Sequence, residues 1–423
     1  MNSNAGARTF LSAASFIVRI RSLKTCRLRG KRVLWTLFIC LFCVTPAFAA
    51  SRVVAWGAGT FVSHPPDYNN YGQSIVPASL TNAIYVAGGW RHSLAIKTDG
   101  TLKPWGDDMV FQTDFWYEPT NCVSIACGRL HSLALQQNGF VIPAGDDTFG
   151  QVELPDNLSN VVAISAGFYH SVALRADGTV VAWGTSTNIG TDPNYGQSIV
   201  PPGLSNVVAI AGGGWHTLVL KSDGTLQAWG RNDFGQGSIP SGVSNVVAIG
   251  SGAAHNLVLK SDGSLFSWGL NTYGQTNVLA NLSNVVAIVC GGWHNLALKG
   301  DGTVVAWGAG SPVINANVDC GQDIVPPGLS NVVQIAAGSV HSLSLVGSNP
   351  PVTRALLQPT FATNGFSVSF PAQYGRVYRL EFKEHLNDTN WFALPLAAGQ
   401  TPRLLLSDTN ALSAQRFYRV RSW

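Results

Sequence analysis

A Gly-x-x-His unit recurs seven times in this 423-residue chain, placing histidines at His92, His131, His170, His216, His255, His294 and His341. Successive intervals are 39, 39, 46, 39, 39 and 47 residues. No other feature constrains the fold as strongly, because each repeat of such a period is one supersecondary unit that buries its apolar face only against its neighbours. The two long intervals read as insertions in a single loop, since the flanking pattern resumes in register on either side.

The unit is clearest between Asn160 and Gly184. An apolar run, Val161-Val162-Ala163-Ile164, leads through Ala166-Gly167 to His170-Ser171-Val172-Ala173-Leu174. A turn at Asp177-Gly178 then precedes Thr179-Val180-Val181-Ala182-Trp183-Gly184. These are β-branched runs of strand length. Asp-Gly pairs at 99–100, 177–178, 223–224, 262–263 and 301–302, with Asn138-Gly139, predict type I′ hairpins and hence antiparallel strands in sequence order. The seventh unit stops at His341–Val346, and the Val-Val-Ala-Trp-Gly strand it lacks stands at the other end of the chain, as Arg52–Gly57. The expectation is an all-β chain: a seven-bladed β-propeller over residues 50–347, closed by the N-terminal strand so that no edge is exposed. The third strand of each blade carries Trp56, Trp105, Trp183, Trp229, Trp268 or Trp307, but Ala144 in one blade, which is either compensated by neighbours such as Phe140 or locally weak.

Ahead of the repeats lie a basic stretch through Arg19, Arg21, Lys24, Arg27, Arg29, Lys31 and Arg32, an apolar run Val33–Val44, and Ala47-Phe48-Ala49. This is the pattern of a secretory signal over residues 1–49. The apolar run is short for a bilayer-spanning helix, so the expectation is an exported protein, secreted or in the cell envelope, with no stable membrane insertion. Residues 1–50 hold eight Lys/Arg and no Asp/Glu, which leaves 18 basic against 22 acidic residues, and residues 51–350 hold 10 against 18. An acidic body of this kind repels nucleic acid.

Seven histidines invite a catalytic or metal reading. His92 and Ser93 are adjacent on a strand and point to opposite faces, so they form no nucleophile–base pair within a unit. His92, Leu94 and Ile96 share one face, which makes the imidazole a core member hydrogen-bonded between blades. A metal needs three or four ligands converging on one point, whereas ring-related positions diverge. Asp107-Asp108 and Asp146-Asp147 follow the Trp-Gly slot or its equivalent and read as solvated turns rather than calcium ligands. Cys127 and Cys290 fill one slot, held elsewhere by Gly88, Ala166, Gly212, Ser251 and Ala337, so a small residue in a tight space is favoured over a bridge, although export permits disulfides among Cys122, Cys127, Cys290 and Cys320. No catalytic residue, metal or cofactor is expected.

The informative positions are the two before each histidine: Trp90-Arg91, Arg129-Leu130, Phe168-Tyr169, Gly214-Trp215, Ala253-Ala254, Gly292-Trp293 and Ser339-Val340. They follow a repeated glycine and vary while the frame around them does not. Trp90, Arg91, Arg129, Phe168, Tyr169, Trp215 and Trp293 are therefore candidate partner contacts around the mouth of the ring. The loops after Trp-Gly are lengthened at Phe61–Tyr71, Thr185–Tyr195 and Ala309–Cys320, adding Tyr68, Tyr71 and Tyr195 as candidates. Arg91 and Arg129 are the only charged residues expected at the mouth, with no carboxylate beside them.

Blocks such as Trp268-Gly269-Leu270-Asn271-Thr272-Tyr273-Gly274-Gln275, followed by a proline-led strand and Ala-Gly-x-x-His-Ser-Leu-Ala-Leu-Lys-x-Asp-Gly, resemble the regulator of chromosome condensation repeat over residues 52–347. The 39-residue period is similar to the compact exported bacterial branch of that family, which includes a secreted β-lactamase-inhibiting propeller. The resemblance implies that aromatic residues of the turn before the histidine strand grip a protein partner, which maps onto Trp90, Phe168, Tyr169, Trp215 and Trp293. Ala253, Ala254 and Val340 depart from that pattern. So does the missing leucine-glycine after Gly-Gln, and the second repeat has Phe111-Gln112 in place of Gly-Gln.

Residues 348–423 read as a linker and a small C-terminal β-sandwich serving attachment or spacing, because Phe366–Phe370, Val377–Phe382, Trp391–Leu394, Arg403–Leu406 and Arg416–Val420 alternate in strand fashion. The functional expectation is a monomeric, non-catalytic scaffold that binds another protein, with an inhibitor-like role among its forms. Two competing readings are a polysaccharide or antibiotic lyase with a central-pocket site, and a nucleotide-exchange or chromatin-binding factor, the latter opposed by export and by the acidic body.

Overall fold

The computed structural model describes residues 51–59, 70–185, 194–310, 320–347 and most of 358–423, together with Val18–Arg19, which pair with Phe417 and Tyr418. The expected signal segment otherwise lies outside the described residues, as does Tyr68.

Seven three-stranded antiparallel sheets follow one another; six have their strands in sequence order, as in Val161–Ala166, His170–Arg175 and Val180–Gly184, and the seventh takes its third strand from Arg52–Gly57. The middle strand of every blade is buried over its first five residues, because it has a strand on either side and another blade above and below. Leucine and valine fill its inward positions, with Leu94, Leu133, Val172, Leu218, Leu257, Leu296 and Leu343 all removed from solvent. First strands of successive blades touch one another around the axis. Each first strand carries a one-residue register slip near its start, a bulge that adds twist where seven sheets must fan out.

Arg52–Gly57 pairs antiparallel with His341–Val346, Val53 standing opposite Leu345 and Val54 opposite Ser344. Among the described residues every sheet is open. Contacts nevertheless run from the seventh blade back to the first: the Ser339 N–H donates to the Gly89 carbonyl at 3.0 Å.

Two sequence expectations need correction. The Asp-Gly hairpins are not type I′, because only the glycine is left-handed, as at Gly178 with φ +83°. The Gly178 N–H donates to Arg175 O and the Arg175 N–H to Thr179 O, the pattern of a type I turn closed by a glycine bulge. Asp177 faces forward to accept from the N–H and hydroxyl of Thr179. In the blade that has Ala144 for Trp, Phe140 is exposed and compensates for nothing; Phe115, from the preceding loop, belongs to the same buried cluster as Ala144.

The C-terminal residues form a three-stranded sheet (Gln358–Ala362, Gly365–Phe370, Leu404–Asp408) and a second sheet built on Val377–Lys383, Phe392–Ala398 and Phe417–Ser422. Phe366, Phe370 and Leu404 of one share a buried cluster with Leu380, Tyr418 and Val420 of the other. This unit rests on the propeller at the end that carries the Asp-Gly hairpins. The Leu396 N–H donates to Ala176 O at 2.8 Å, Arg421 Nη1 to Ser222 O at 3.1 Å and Arg376 Nη2 to Val286 O at 3.5 Å, while Val377 and Leu396 join the cluster of Val207 and Val208.

Candidate binding face

The face opposite those hairpins is built from two sets of loops, the turn before each histidine and the loop after each Trp-Gly. Backbone bonds hold them together: the Asp107, Arg231 and Ala309 N–H groups donate to the carbonyls of Arg91, Trp215 and Trp293.

Beneath this face lies a ring of polar side chains. His170 Nε2 meets Thr217 Oγ1 of the next blade at 2.9 Å, and His216 Nε2 meets Asn256 Oδ1 at 2.8 Å. The pattern passes through every blade and returns to the start, with His341 Nε2 2.9 Å from Ser93 Oγ. The direction of each bond follows from its partner. Thr217 and the serines give their hydroxyl hydrogen to a glutamine backbone carbonyl, and the Asn256 and Asn295 amide nitrogens do the same. What remains toward the imidazole is an acceptor, so Nε2 carries a proton in all seven blades, and Nδ1, buried with no hydrogen-bond partner, is left without one, so the rings are neutral. Burial pushes their pKa values down, to about 3 for His92, His170, His294 and His341 and about 4 for His131, His216 and His255. The serine–histidine contacts are thus between blades, fully buried, and oriented with the hydroxyl proton pointing away from the imidazole.

The glycine preceding each histidine has a reason to be glycine. A Cβ on Gly252 would overlap the His255 ring and come within 2.6 Å of the Gly291 carbonyl of the next blade, and Gly89 is confined likewise by His92 and Gly128. Blades approach one another here through backbone alone, and the two residues that follow are delivered onto the rim.

On that rim the structure brings most of the candidate residues into one connected series. The Arg91 guanidinium lies 3.4 Å from the Trp90 ring centre and 4.7 Å from that of Tyr71, whose hydroxyl is 3.2 Å from Arg91 Nη1. Arg129 spans Trp90 at 4.2 Å and Tyr169 at 5.2 Å. Phe168 meets Tyr169 and, edge-on at 5.0 Å, Trp215 of the next blade. Arg231 closes the series over Trp215, Tyr195 and Phe234. Such cation–π contacts favour a guanidinium flat on an electron-rich face. All but the exposed Phe234 are half-buried, Arg91 more deeply at 8% exposure, so they form a supported surface rather than free side chains.

Trp293 stands apart from this series and pairs with Tyr273, ring centres 5.9 Å apart. Ala253, Ala254, Ser339 and Val340 are buried and small, leaving blades five and seven without a large side chain at this position.

Four residues that the sequence reading passed over belong here: Arg231, Phe149, Phe234 and Tyr273. Three of them occupy the position just before Gly-Gln, and the side chain there meets the residue preceding the next histidine, twenty positions on, as Phe149 meets Tyr169 and Tyr273 meets Trp293. That spacing was the available signal. The glutamine itself is fully buried in all seven repeats and accepts the N–H two residues earlier, as Gln151 does from Phe149. The mouth is also less purely basic than expected. Arg231 is paired with Asp233 at 2.6 Å, and Asp107, buried, lies close enough to Arg91 to feel its charge, although burial outweighs that and raises the carboxyl pKa.

No disulfide joins the cysteines among the described residues, and burial raises the thiol pKa values of Cys122, to about 12, and of Cys127 and Cys290. No cluster of metal-ligating side chains occurs among those residues either.

Comparison with known proteins places this architecture. The model of the "Regulator of chromosome condensation (RCC1) repeat" matches residues 161–197, 207–236, 246–275 and 285–311. None of the curated protein sequences matches significantly. Among solved structures, Prp20p from Saccharomyces cerevisiae is 20% identical with a TM-score of 0.55, covering 71% of this chain and 92% of its own. Human WBSCR16 is 22% identical with a TM-score of 0.51, covering 70% and 99%. Yeast RCC1 (Prp20) bound to Kap60 is 20% identical with a TM-score of 0.53, covering 77% and 96%. At these identities the likeness establishes the fold.

Proposed function

We propose, for a chain that belongs to the family of regulator of chromosome condensation repeat proteins, that it is a non-catalytic scaffold which binds a protein partner on the face carrying the aromatic–guanidinium series. The observation that carries this reading is the continuity of that series, from Tyr71 through Trp90, Arg129, Tyr169, Phe168 and Trp215 to Arg231, across the first four blades. Aromatic and arginine anchors that are pre-positioned lose little side-chain freedom on binding, which is why they dominate interface energetics. The C-terminal unit rests on the opposite end, which leaves the aromatic end clear of it.

The similar yeast propeller is described together with Gsp1p, histones and Kap60, which supports a protein as the class of partner. Export, with residues 1–49 as signal, and closure of the ring by the strand that begins at Arg52 complete the reading. The C-terminal unit is a small β-sandwich that rests on the hairpin end and serves attachment or spacing.

The test is affinity capture from the envelope or medium of the producing organism with the mature chain and with Trp215→Ala/Trp293→Ala. The expected outcome is loss of the captured partner with a melting temperature within a few degrees of the parent; collapse of the fold, or unchanged capture, would remove the basis for this face. Inhibition assays against β-lactamases are the first specific trial.

A further inference from the structure

The loop from Asp107 to Asn121, which lends Asp107 to the rim and Phe115 to the core, carries four exposed large apolar side chains. Trp116 is 95% exposed, Met109 72%, Phe111 67% and Tyr117 52%. The loop is nonetheless built. Phe115 and Pro119 are buried beneath it, the Asp114 N–H donates to Phe111 O, and Asp108 Oδ1 accepts from the Thr113 N–H at 2.9 Å.

Phe111 is the second unusual feature. Its φ is +63°, the left-handed region that the other six repeats occupy with glycine at Gly72, Gly150, Gly196, Gly235, Gly274 and Gly321. A bulky side chain disfavours that conformation, and here the ring recovers no burial in return. Strain of this kind is retained where the side chain serves something outside the fold.

Charge supplies the third. Residues 104–174 contain eight Asp/Glu and a single basic residue, Arg129, whereas the rest of residues 51–350 is close to balance, with ten acidic and nine basic. Asp108, Asp114, Glu118, Asp147, Glu153 and Asp156 are exposed, and among the described residues none of them is in an ion pair. Exposed aromatic rings set among unpaired carboxylates complement a ligand that presents cations and apolar groups together. The same charge repels nucleic acid and anionic lipid.

We infer that the Asp107–Asn121 loop is a second docking surface, distinct from the aromatic–guanidinium series, for a protein segment in which Lys or Arg alternates with apolar side chains. The apolar side chains of that segment cover Met109, Phe111, Trp116 and Tyr117, and its cations lie over the carboxylates of the second and third blades.

The experiment titrates the full chain with a short fluorescent Lys/Leu peptide, a Glu/Leu peptide and a Lys/Gly peptide. The Lys/Leu peptide binds best; Trp116→Ala/Tyr117→Ala weakens it about tenfold or more, and Asp108→Asn/Asp114→Asn/Glu118→Gln flattens its dependence on salt. Thermal melting shows that these exposed substitutions leave the fold intact. Equal binding of the Glu/Leu peptide, equal binding of the Lys/Gly peptide, or full affinity in the aromatic variant each overturns the proposal. So does self-association that the aromatic variant abolishes, which would make a second copy of the chain the occupant.

Discussion

Blades one to four and blades five to seven share one frame and differ in what they display. In both groups the histidine is buried and bonded to the next blade, the glutamine is buried, and glycine stands where a Cβ would strike the imidazole. On the rim the first group presents Trp90, Arg91, Arg129, Phe168, Tyr169 and Trp215, whereas the second presents Ala253, Ala254, Ser339 and Val340, with Trp293 as its one large side chain. The residues of the buried bonds between blades are held nearly constant by packing, whereas the two positions before each histidine vary, although they too meet neighbouring blades, as Phe168 meets Trp215. A repeat ring thereby separates stability from recognition by a spacing of one or two residues.

The comparison is open to attack where the frame is strongest. Each imidazole has a folded pKa of about 3 or 4, well below its ordinary value near 6.5, so between those limits the unfolded chain binds more protons than the folded one. Stability is complete above about pH 6.5 and falls as pH drops through that range. At one unit below the unfolded value each histidine costs about 1.4 kcal/mol, or roughly 10 kcal/mol for seven. Urea midpoints between pH 7 and 5.5 should therefore fall steeply and as a single transition in both groups of blades; a flat profile would contradict the neutral ring.

A smaller effect separates frame from display directly. Gly167→Ala in the third blade meets His170 and the Gly213 carbonyl, and Gly252→Ala in the fifth meets the equivalent His255 and Gly291 carbonyl, so each is expected to cost about 3 kcal/mol or more in denaturant unfolding. Unequal costs would mean that the two groups of blades do not share one frame. The smallest effect lies on the rim. A double-mutant cycle of Arg231→Ala with Trp215→Ala should give a coupling of about 0.5–1 kcal/mol in thermal melting, and no coupling is expected between Arg231 and Trp293.

Much of this frame was legible in the sequence because a period repeated seven times overrides local ambiguity. The placement of the histidines on a shared face with Leu94 and Ile96, and the contrast between fixed glycine and variable rim, required only strand alternation. The turn type was not legible, since Asp-Gly is compatible with two hairpin geometries and the choice rests on a bulge that pairs Arg175 with Thr179. Phe115 was missed as the filler beside Ala144 because it arrives from a loop 29 positions earlier in the chain. Docking of the C-terminal unit was likewise hidden: alternation marks Val377 and Leu396 as strand residues but says nothing of which surface covers them.

The direction of the buried hydrogen bonds has one more outcome. Every blade offers an N–H on one flank and an oxygen on the other, always in the same rotational sense, so each coupling is head to tail and chemically equivalent to the rest. Circular permutants opened at any Asp-Gly hairpin, with the native ends tethered, would preserve all seven couplings. The blades are interchangeable as joints while remaining individual as surfaces.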